Sequence, residues 1–315
     1  MKALFRRYPH EWILVGLLTG LLLAAWRLDP PFVSVGTQAE LSTHIWEMAL
    51  LTVPMTLIII TAGIDLSVGA TMALCAVVLG MTFERGTPVA VASLLAILTG
   101  LACGFLNGVF VAKVRVHPLI VTLATMSAYR GIAEGLSLAK PVSGFPASFA
   151  FIGRGEWHGI SVPGLIVALA MLAAWVVLNR SVLGRFLFAI GHNETASRFS
   201  GVPVDRIKLL LYSLAGTSAG LAAVMFVSRR NTAKADIATG MELDVVTAVV
   251  LGGASLFGGR GRIVGTLLGV LLIHETREYV SWRWQNDELI LVVIGALLIV
   301  SVLVNTLLTR RQAVS

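Results

Sequence analysis

The acid with the most unusual surroundings in this sequence is Asp65, which lies in the stretch 61–69 between two strongly apolar segments. A carboxylate in hydrocarbon costs at least about 2.5 kcal/mol, so it must lie at a helix end, be paired, or face water. Two interpretations remain open from the residues alone. Either Gly63 ends one helix and a side-chain oxygen of Asp65 or Ser67 caps the next, or the stretch is a functional break in a transmembrane path.

A second polar stretch, residues 183–203, carries the signals of a short helix outside a membrane. Asn193 is a favourable N-cap residue, and Glu194 suits the first turn because its charge complements the helix dipole. Gly201 and Pro203 are residues that commonly end a helix. The stretch is therefore either an ordinary connecting loop or a helix that docks onto a partner.

Charged residues inside the apolar segments do not show the spacing of catalytic groups. Arg130 and Glu134 are one helical turn apart, so we expect them to neutralise each other, with the lining of an outer vestibule as the alternative. An intramembrane enzyme built on Asp65, Arg130 or the charges near residue 275 is disfavoured for this reason. We assign no catalytic residue and no cofactor.

Two motifs that could bind a metal or a nucleotide are incomplete. Residues 274–278 read His-Glu-Thr-Arg-Glu, without the second histidine of a zinc motif, so we expect no metal site. Residues 274, 277 and 278 should pair on one helix face, and the helix should leave the hydrocarbon before them, with Trp282 and Trp284 at the interface. The glycine-rich stretch 252–261 lacks the Lys-Ser or Lys-Thr of a phosphate-binding loop and is expected to form tight turns.

The composition requires that membrane helices position these groups. Hydrophobic residues make up 57% of the chain and charged residues 13%, whereas soluble domains carry about 25% charged residues. A chain so poor in charge cannot cover a soluble surface, and it is too hydrophobic to be disordered. The net charge is +7, and most of the basic residues lie in breaks between apolar runs. This distribution follows the positive-inside rule and does not indicate a nucleic-acid partner. Cys75 and Cys103 lie within apolar runs and should be buried.

Apolar segments of 16 to 25 residues approach the roughly 20 helical residues that cross a bilayer. We predict an all-α, polytopic membrane protein with about ten transmembrane helices, some short or broken, in a single domain of residues 1–315. Ten crossings place both termini on one side, and the basic residues favour the cytoplasm, with a cytoplasmic loop at about 179–206 and an outer break at 138–160. The segments are 12–28, 45–62, 68–83, 87–111, 117–137, 161–178, 207–228, 243–258, 263–280 and 288–308.

Glycines recur at intervals of four residues in three segments. This spacing places them on one helix face and lets neighbouring helices approach closely in lipid. We expect them to serve helix packing within the chain, with a subunit interface or a substrate path as the alternative. They are Gly100, Gly104 and Gly108, then Gly216 and Gly220, then Gly261, Gly265 and Gly269.

Taken together, these stretches resemble the permease subunits of the ATP-binding-cassette importers for ribose, xylose, arabinose, rhamnose or autoinducers. The similarity runs in order from about residue 45 to 300, and residues 143–151 with 198–203 are most similar to the rhamnose-type and autoinducer-type members. Branched-chain amino acid permeases share a related architecture and are the alternative, but Gly-Ile-Asp-Leu-Ser-Val-Gly at 63–69 favours sugars. Further motifs are Asn107-Gly108, residues 118–123, Arg130-Gly131, Glu242-Leu-Asp244, residues 249–255 and the glycines within 258–265.

This resemblance implies partners and a cellular location. Two permease subunits, identical or sister chains, would pair across a path in the bacterial cytoplasmic (inner) membrane. A periplasmic or lipid-anchored sugar-binding protein would dock outside, and a separate cytoplasmic ATPase would hydrolyse ATP.

The resemblance also implies roles for particular residues. Residues 191–203, which we call the docking loop, would form the coupling helix that fits a cleft in the ATPase. Its contact residues would be Gly191, Asn193, Glu194, Ala196, Arg198, Ser200 and Gly201. Sugar hydroxyls need hydrogen-bond partners, so the candidates for the path or its gate are Asp65, Ser67, Asn107, Thr122 and Thr125.

Overall fold

The computed structural model describes residues 9–285 and, beyond them, residues 289, 290, 292–297 and 299. This part of the chain is mainly helical. Its α-helices are α1 (Pro9–Leu28), α2 (Val35–Leu41), α3 (Trp46–Ile60), α4 (Val68–Glu84), α5 (Val89–Gly108), α6 (Pro118–Ser137), α7 (Ala150–Arg154), α8 (Val162–Arg180), α9 (Val182–His192), α10 (Glu194–Phe199), α11 (Val204–Arg230), α12 (Met241–Leu251) and α13 (Ile263–Trp284).

Short elements connect these helices. Two antiparallel pairs of two-residue strands occur in the loops, and a π-helical turn extends α5. The strands are β1 (Val142–Ser143) paired with β4 (Thr232–Ala233), and β2 (Glu156–Trp157) paired with β3 (Ile160–Ser161). The 3₁₀ turns are Pro30–Val33, Ser42–His44 and Ala147–Phe149, and the π-helical turn is Val109–Lys113.

Helices occupy the first nine predicted apolar segments, and the tenth, 288–308, lies largely outside the described residues. Among the described residues, four helices are long and apolar enough to cross a bilayer alone: α1, α5 with its π-helical turn, α8 and α11. A fifth crossing results if Val35–His44 and α3, which meet at 54°, form one bent span. The membrane-helical architecture is confirmed in this coarser form, whereas ten crossings and the side of the termini stay predictions.

Helices α3, α4 and α12 form the centre of the assembly together with much of α11. Every residue of 47–60 is buried, and so is nearly every residue of 68–80. A helix that is apolar all round lies in a protein core or spans a membrane, and the burial of these residues shows that other parts of the chain surround α3 and α4. Helices α5 and α8 instead expose large apolar side chains such as Leu98, Phe105 and Leu172, as expected for a surface against lipid.

Helices α5 and α11 cross with their main chains in direct contact. A Cβ on Gly100 or Gly104 would overlap backbone atoms of Gly216 or Tyr212, and a Cβ on Gly216 would overlap the carbonyl oxygen of Gly100. Gly220 approaches the backbone of the same helix one turn further along. These glycines therefore lie at a crossing between two helices of one chain.

A second close crossing joins α12 and α13. A Cβ on Gly265 would overlap the carbonyl oxygen of Gly252, and one on Gly269 would overlap that of Ala248. Gly261 differs from the other two members of its triplet because it precedes α13, and its nearest neighbour is the side chain of Ile60. The four-residue spacing of these glycines therefore includes one glycine, Gly261, that lies outside helix α13.

The break between α3 and α4 is present, but its geometry differs from the prediction. Ala62, rather than Gly63, adopts the left-handed conformation, with φ of 58°. The Gly63 amide closes the end of α3 by donating to the carbonyl oxygen of Ile58 at 3.0 Å. Ser67 precedes α4, and its side chain makes no capping hydrogen bond to that helix. The predicted interruption of the eighth segment is also present, because α12 ends at Leu251.

The connections gather at two ends of the helix assembly. At the first end, which we call the docking end, Gly191 touches Ile60 at the end of α3 and Gly259 in the turn before α13. The bend at 114–117 borders the same cleft as α10. At the second end, which we call the hairpin end, β1 pairs with β4. This grouping agrees with the predicted alternation of the breaks between two sides.

The predicted polar loop 179–206 contains more helix than expected. Helix α9 fills residues 182–192, and the Ser181 hydroxyl caps it by accepting a hydrogen bond from the Gly184 amide at 3.1 Å. Leu187 and Ile190 are buried on one face of α9. The basic residues around this helix indicated a loop, although the apolar side chains at 183, 187 and 190 have helical spacing.

Candidate functional site

A chain of buried hydrogen bonds connects the break after α3 to α5 and α6. The Asp65 carboxylate accepts from the backbone amide of Ser67 at 2.9 Å and from its hydroxyl at 2.7 Å. The Ser67 hydroxyl in turn accepts from the side-chain amide of Asn107 at 2.8 Å. The Tyr129 hydroxyl lies 3.3 Å from Oδ1 of Asn107 and 3.1 Å from the carbonyl oxygen of Cys103. Three of the predicted path candidates therefore lie in one network, which we call the buried polar chain.

The break has a second support from α11. The Tyr212 hydroxyl donates to the carbonyl oxygen of Ile64 at 3.0 Å, and Tyr212 is fully buried. Sequence reasoning did not find Tyr129 or Tyr212. A tyrosine within an apolar run shows that its hydroxyl needs a partner, but it does not show which partner.

The two threonine candidates do not join the buried polar chain. Thr125 donates back to the carbonyl oxygen of Val121 within α6, at 3.0 Å. Thr122 is completely buried, and its hydroxyl has no hydrogen-bond partner among the described residues. Their role in a path stays a prediction.

The docking loop contains the expected short helix, α10. The Asn193 side chain accepts a hydrogen bond from the Ala196 amide at 2.9 Å and so caps the helix. Gly201 ends the loop in the left-handed conformation with φ of 81°. Asn193, Ala196, Ser200 and Gly201 are exposed, whereas Gly191, Glu194 and Arg198 are half-buried. Phe199 is 89% exposed, an unusual position for a large apolar side chain.

Four charged side chains brace α10 against the start of α11. Arg198 pairs with Glu194 at 2.8 Å and with Asp205 at 2.6 Å, and Lys208 pairs with Glu194 at 2.5 Å. Burial would raise the pKa of the Glu194 carboxyl, but hydrogen bonds from Lys208 and Arg198 outweigh it and hold that pKa below its ordinary value. Glu194 is therefore charged at neutral pH, and the brace is intact there.

Gly191 brings the docking loop into contact with the break beside Asp65. A Cβ on Gly191 would overlap the carbonyl oxygen of Ile60 and the amide nitrogen of Gly259. That same Gly259 amide donates to the Ile60 carbonyl at 2.9 Å. The end of α9, the end of α3 and the glycine-rich turn 252–261 therefore meet at one point, where only a residue without a side chain fits.

Arg130 makes a different contact from the predicted one. Its Nη1 atom donates to the carbonyl oxygens of Ala235, at 2.5 Å, and Ile237, at 2.9 Å. These carbonyls belong to the non-helical segment before α12, whose buried backbone needs donors from elsewhere. Glu134 is exposed and forms no ion pair with Arg130 in the described structure. The predicted pairing was wrong because the partner is main chain, which leaves no signal in side-chain spacing.

The predicted internal pairing of residues 274–278 was also wrong. Arg277 pairs with Asp244 on α12, and Glu278 contacts His44 at 3.3 Å. Helix α13 continues to Trp284, so these residues face neighbouring elements along an unbroken helix. Within the described residues, no group of three or more His, Cys, Asp or Glu side chains could hold a metal ion.

Residues 39–302 match the protein family described as branched-chain amino acid transport system / permease component. The chain belongs to this family of membrane permeases. Curated relatives include the autoinducer 2 import system permease protein LsrD of Yersinia pseudotuberculosis strain YPIII and of Yersinia pestis strain Pestoides F. Each is 32% identical over 317 residues, which cover 99% of this chain and 95% of the relative. No solved structure gives a significant match.

Family membership and the apolar helices together define a multi-pass permease of the inner membrane. The sequence predicted three members of the buried polar chain, Asp65, Ser67 and Asn107, and the short helix of the docking loop. Gly191 places the docking loop against Ile60, at the start of the break that contains Asp65, and this contact arises from the three-dimensional arrangement alone.

Proposed function

We propose that this chain is the membrane permease of an ATP-driven importer for a monosaccharide or a similar small polyol. A separate cytoplasmic ATPase drives it through the docking loop. The near full-length relatives support this class of cargo, because they are autoinducer 2 import permeases. Branched-chain amino acids are the alternative cargo, since the family description names them.

The contact between the docking loop and the break beside Asp65 carries this proposal. Gly191 touches Ile60, the last residue of α3, and Tyr212 on α11 holds Ile64. Helix α11 follows the docking loop directly. A displacement of α10 would therefore move both supports of the break that contains Asp65.

In this mechanism, closure of the ATPase dimer shifts α10 in each of two permease chains. The shift reaches the break and rearranges the hydrogen bonds of Asp65, Ser67 and Asn107, so that the path opens alternately to each side. Hydroxyl and amide groups suit such a path because they can exchange hydrogen bonds with an uncharged polyol. We place Thr122 and Thr125 on the same path.

The topology follows from the same assignment. The docking end faces the cytoplasm, together with both termini and the loop 179–206. The hairpin end faces the periplasm and receives a periplasmic or lipid-anchored binding protein. Ten crossings form the complete permease domain, and a second permease, identical or a sister chain, completes the path.

Transport by reconstituted protein tests the proposal. The full-length permease with its ATPase in proteoliposomes should take up labelled monosaccharides or autoinducer 2 when ATP is present. Uptake that persists without the ATPase would contradict the coupling, and uptake of leucine instead would favour the alternative cargo.

The variant Gly191→Ala tests the route between docking loop and break. The added Cβ should lower the cargo moved per ATP by about tenfold, because it separates α9 from α3. ATPase binding by the same variant, measured separately, distinguishes this effect from loss of the ATPase contact expected at Gly191. Gly36→Ala is the matched control, since a Cβ on Gly36 meets no atom within 4 Å. Normal uptake by Gly191→Ala would refute the proposed route.

A further inference from the structure

A cleft lies beside the docking loop that the proposed coupling helix does not by itself explain. It has a volume of about 680 Å³ and opens to the surface between α10 and the bend at 114–117. One wall carries Arg198 and Phe199, and the other carries Arg115 and His117. In the sequence, Arg115 was one of the basic residues that favour a cytoplasmic side, and no partner was assigned to this bend.

The bend presents Arg115 in a fixed position. Arg115 adopts the left-handed conformation with φ of 63°, which is uncommon for a residue with a side chain. Two backbone hydrogen bonds hold the turn. The Val114 amide donates to the carbonyl oxygen of Val109, and the Val116 amide donates to that of Phe110, each at 3.1 Å. The strained backbone is thus determined by its surroundings, and it directs an exposed guanidinium to the cleft.

The charges around the cleft do not balance. Arg198 and Lys208 are neutralised by their ion pairs with Glu194 and Asp205. Arg115 forms no ion pair in the part of the chain that the structure describes, and the carboxylate that its charge acts on from a longer distance, Asp205, is already paired with Arg198. The cleft therefore carries one uncompensated positive charge, next to a phenylalanine that is 89% exposed.

Phenylalanine and arginine are both enriched at protein–protein interfaces relative to the rest of the surface, so this pair fits a protein-binding surface better than a solvated loop. A lipid headgroup could neutralise Arg115 but would leave Phe199 in water beyond the docking end. A protein surface with an acidic group and an apolar recess satisfies both side chains at once. The charge complementarity therefore favours a protein partner.

We propose that this cleft is a second docking point for the ATPase, in which an acidic segment of that subunit pairs with Arg115 and an apolar recess receives Phe199. The proposal rests on the proposed function, because it takes the ATPase as the partner of the docking loop. It adds a contact from the α5–α6 connection to a surface otherwise formed by the α9–α11 connection. Two separate connections of the permease, α5–α6 and α9–α11, would then bind the same ATPase.

Binding of the ATPase to the full-length permease in lipid nanodiscs tests this inference. Arg115→Glu should weaken binding about tenfold, because it replaces attraction by like-charge repulsion. The loss should be smaller at high salt, where surface charges are screened. Arg85→Glu, which reverses an exposed arginine in the turn between α4 and α5, is the matched control and should bind as the wild type does.

Two further measurements identify the partner. An acidic residue of the ATPase that pairs with Arg115 should, when changed to lysine, restore binding to the Arg115→Glu permease. A photo-crosslinking residue at position 115 should attach to that same acidic segment. Crosslinks to lipid alone, or wild-type affinity of Arg115→Glu, would overturn the second docking point while leaving the importer intact. A wild-type permease that binds no ATPase would overturn both proposals.

Discussion

The atomic contacts where α5 and α11 cross predict how a substitution there changes the free energy of unfolding. The change is Gly216→Ala, which adds one methyl group at the point where the two main chains touch. The new Cβ would overlap the carbonyl oxygen of Gly100 and lie 2.7 Å from the amide nitrogen of Gly104. Both obstructing atoms are backbone, so no side-chain rotation can make room.

Two opposing effects set the size of the change. Overpacking of a well-packed contact costs about 1–3 kcal/mol. The higher helix propensity of alanine offsets about 1 kcal/mol of this. Since the obstruction is rigid and involves both helices, the upper part of the overpacking range applies. We expect Gly216→Ala to lower the free energy of unfolding by about 2 kcal/mol.

The assay is equilibrium unfolding of the purified full-length permease in mixed detergent micelles, followed by circular dichroism. Gly135→Ala is the matched control, because a Cβ on Gly135 meets no atom within 4 Å. That variant should be unchanged or stabilised by up to about 1 kcal/mol, so only Gly216→Ala should be destabilised. Equal stability of both variants would refute the main-chain contact between the helices.

Two further predictions concern ion pairs. Arg229→Ala should lower the free energy of unfolding by about 3–5 kcal/mol, because it leaves the buried Glu47 carboxylate without its partner at 3.0 Å. The double variant Arg229→Met with Glu47→Gln should recover most of this loss in the same unfolding assay. The pKa of Glu194 lies below its ordinary value of 4.5, so its pairs with Lys208 and Arg198 stabilise α10 fully above that value and progressively less as the pH falls below it. Hydrogen-exchange protection of α10 should therefore drop in acid, and a drop of equal size in Glu194→Gln would contradict this reasoning.

Hydrophobic patterning predicted most of the helices but not their exact extent. A run such as 163–178 has no polar residue that could end a helix within it, so α8 could be located closely. Helix α9 was missed because Arg180 and Arg185 suggested an aqueous loop. In the structure its apolar face packs on neighbouring helices while the basic side chains extend outward, an arrangement that amphipathic spacing alone could have indicated.

The candidate site was predictable to the extent that it depends on unusual residues in apolar surroundings. Asp65, Ser67 and Asn107 were found because polar groups among apolar helices need partners, and they are partners of one another. The role of Arg130 was not predictable, since its acceptors are main-chain carbonyls more than a hundred residues away. Contacts between side chain and distant backbone leave no pattern of spacing or of residue type.

The packing of Gly216 against α5 also determines how α11 can move. Helix α11 has 27 residues, so it is about 40 Å long, and Gly216 lies near its midpoint. The contact with α5 extends around this midpoint, from Leu209 to Gly220. If the docking loop tilts a stiff α11 about this contact, Val204 and Arg229 would move in opposite directions, and the ion pair of Arg229 with Glu47 would carry the movement to the start of α3. The contact between α5 and α11 would thus couple the docking end to the hairpin end without requiring any bend in α11.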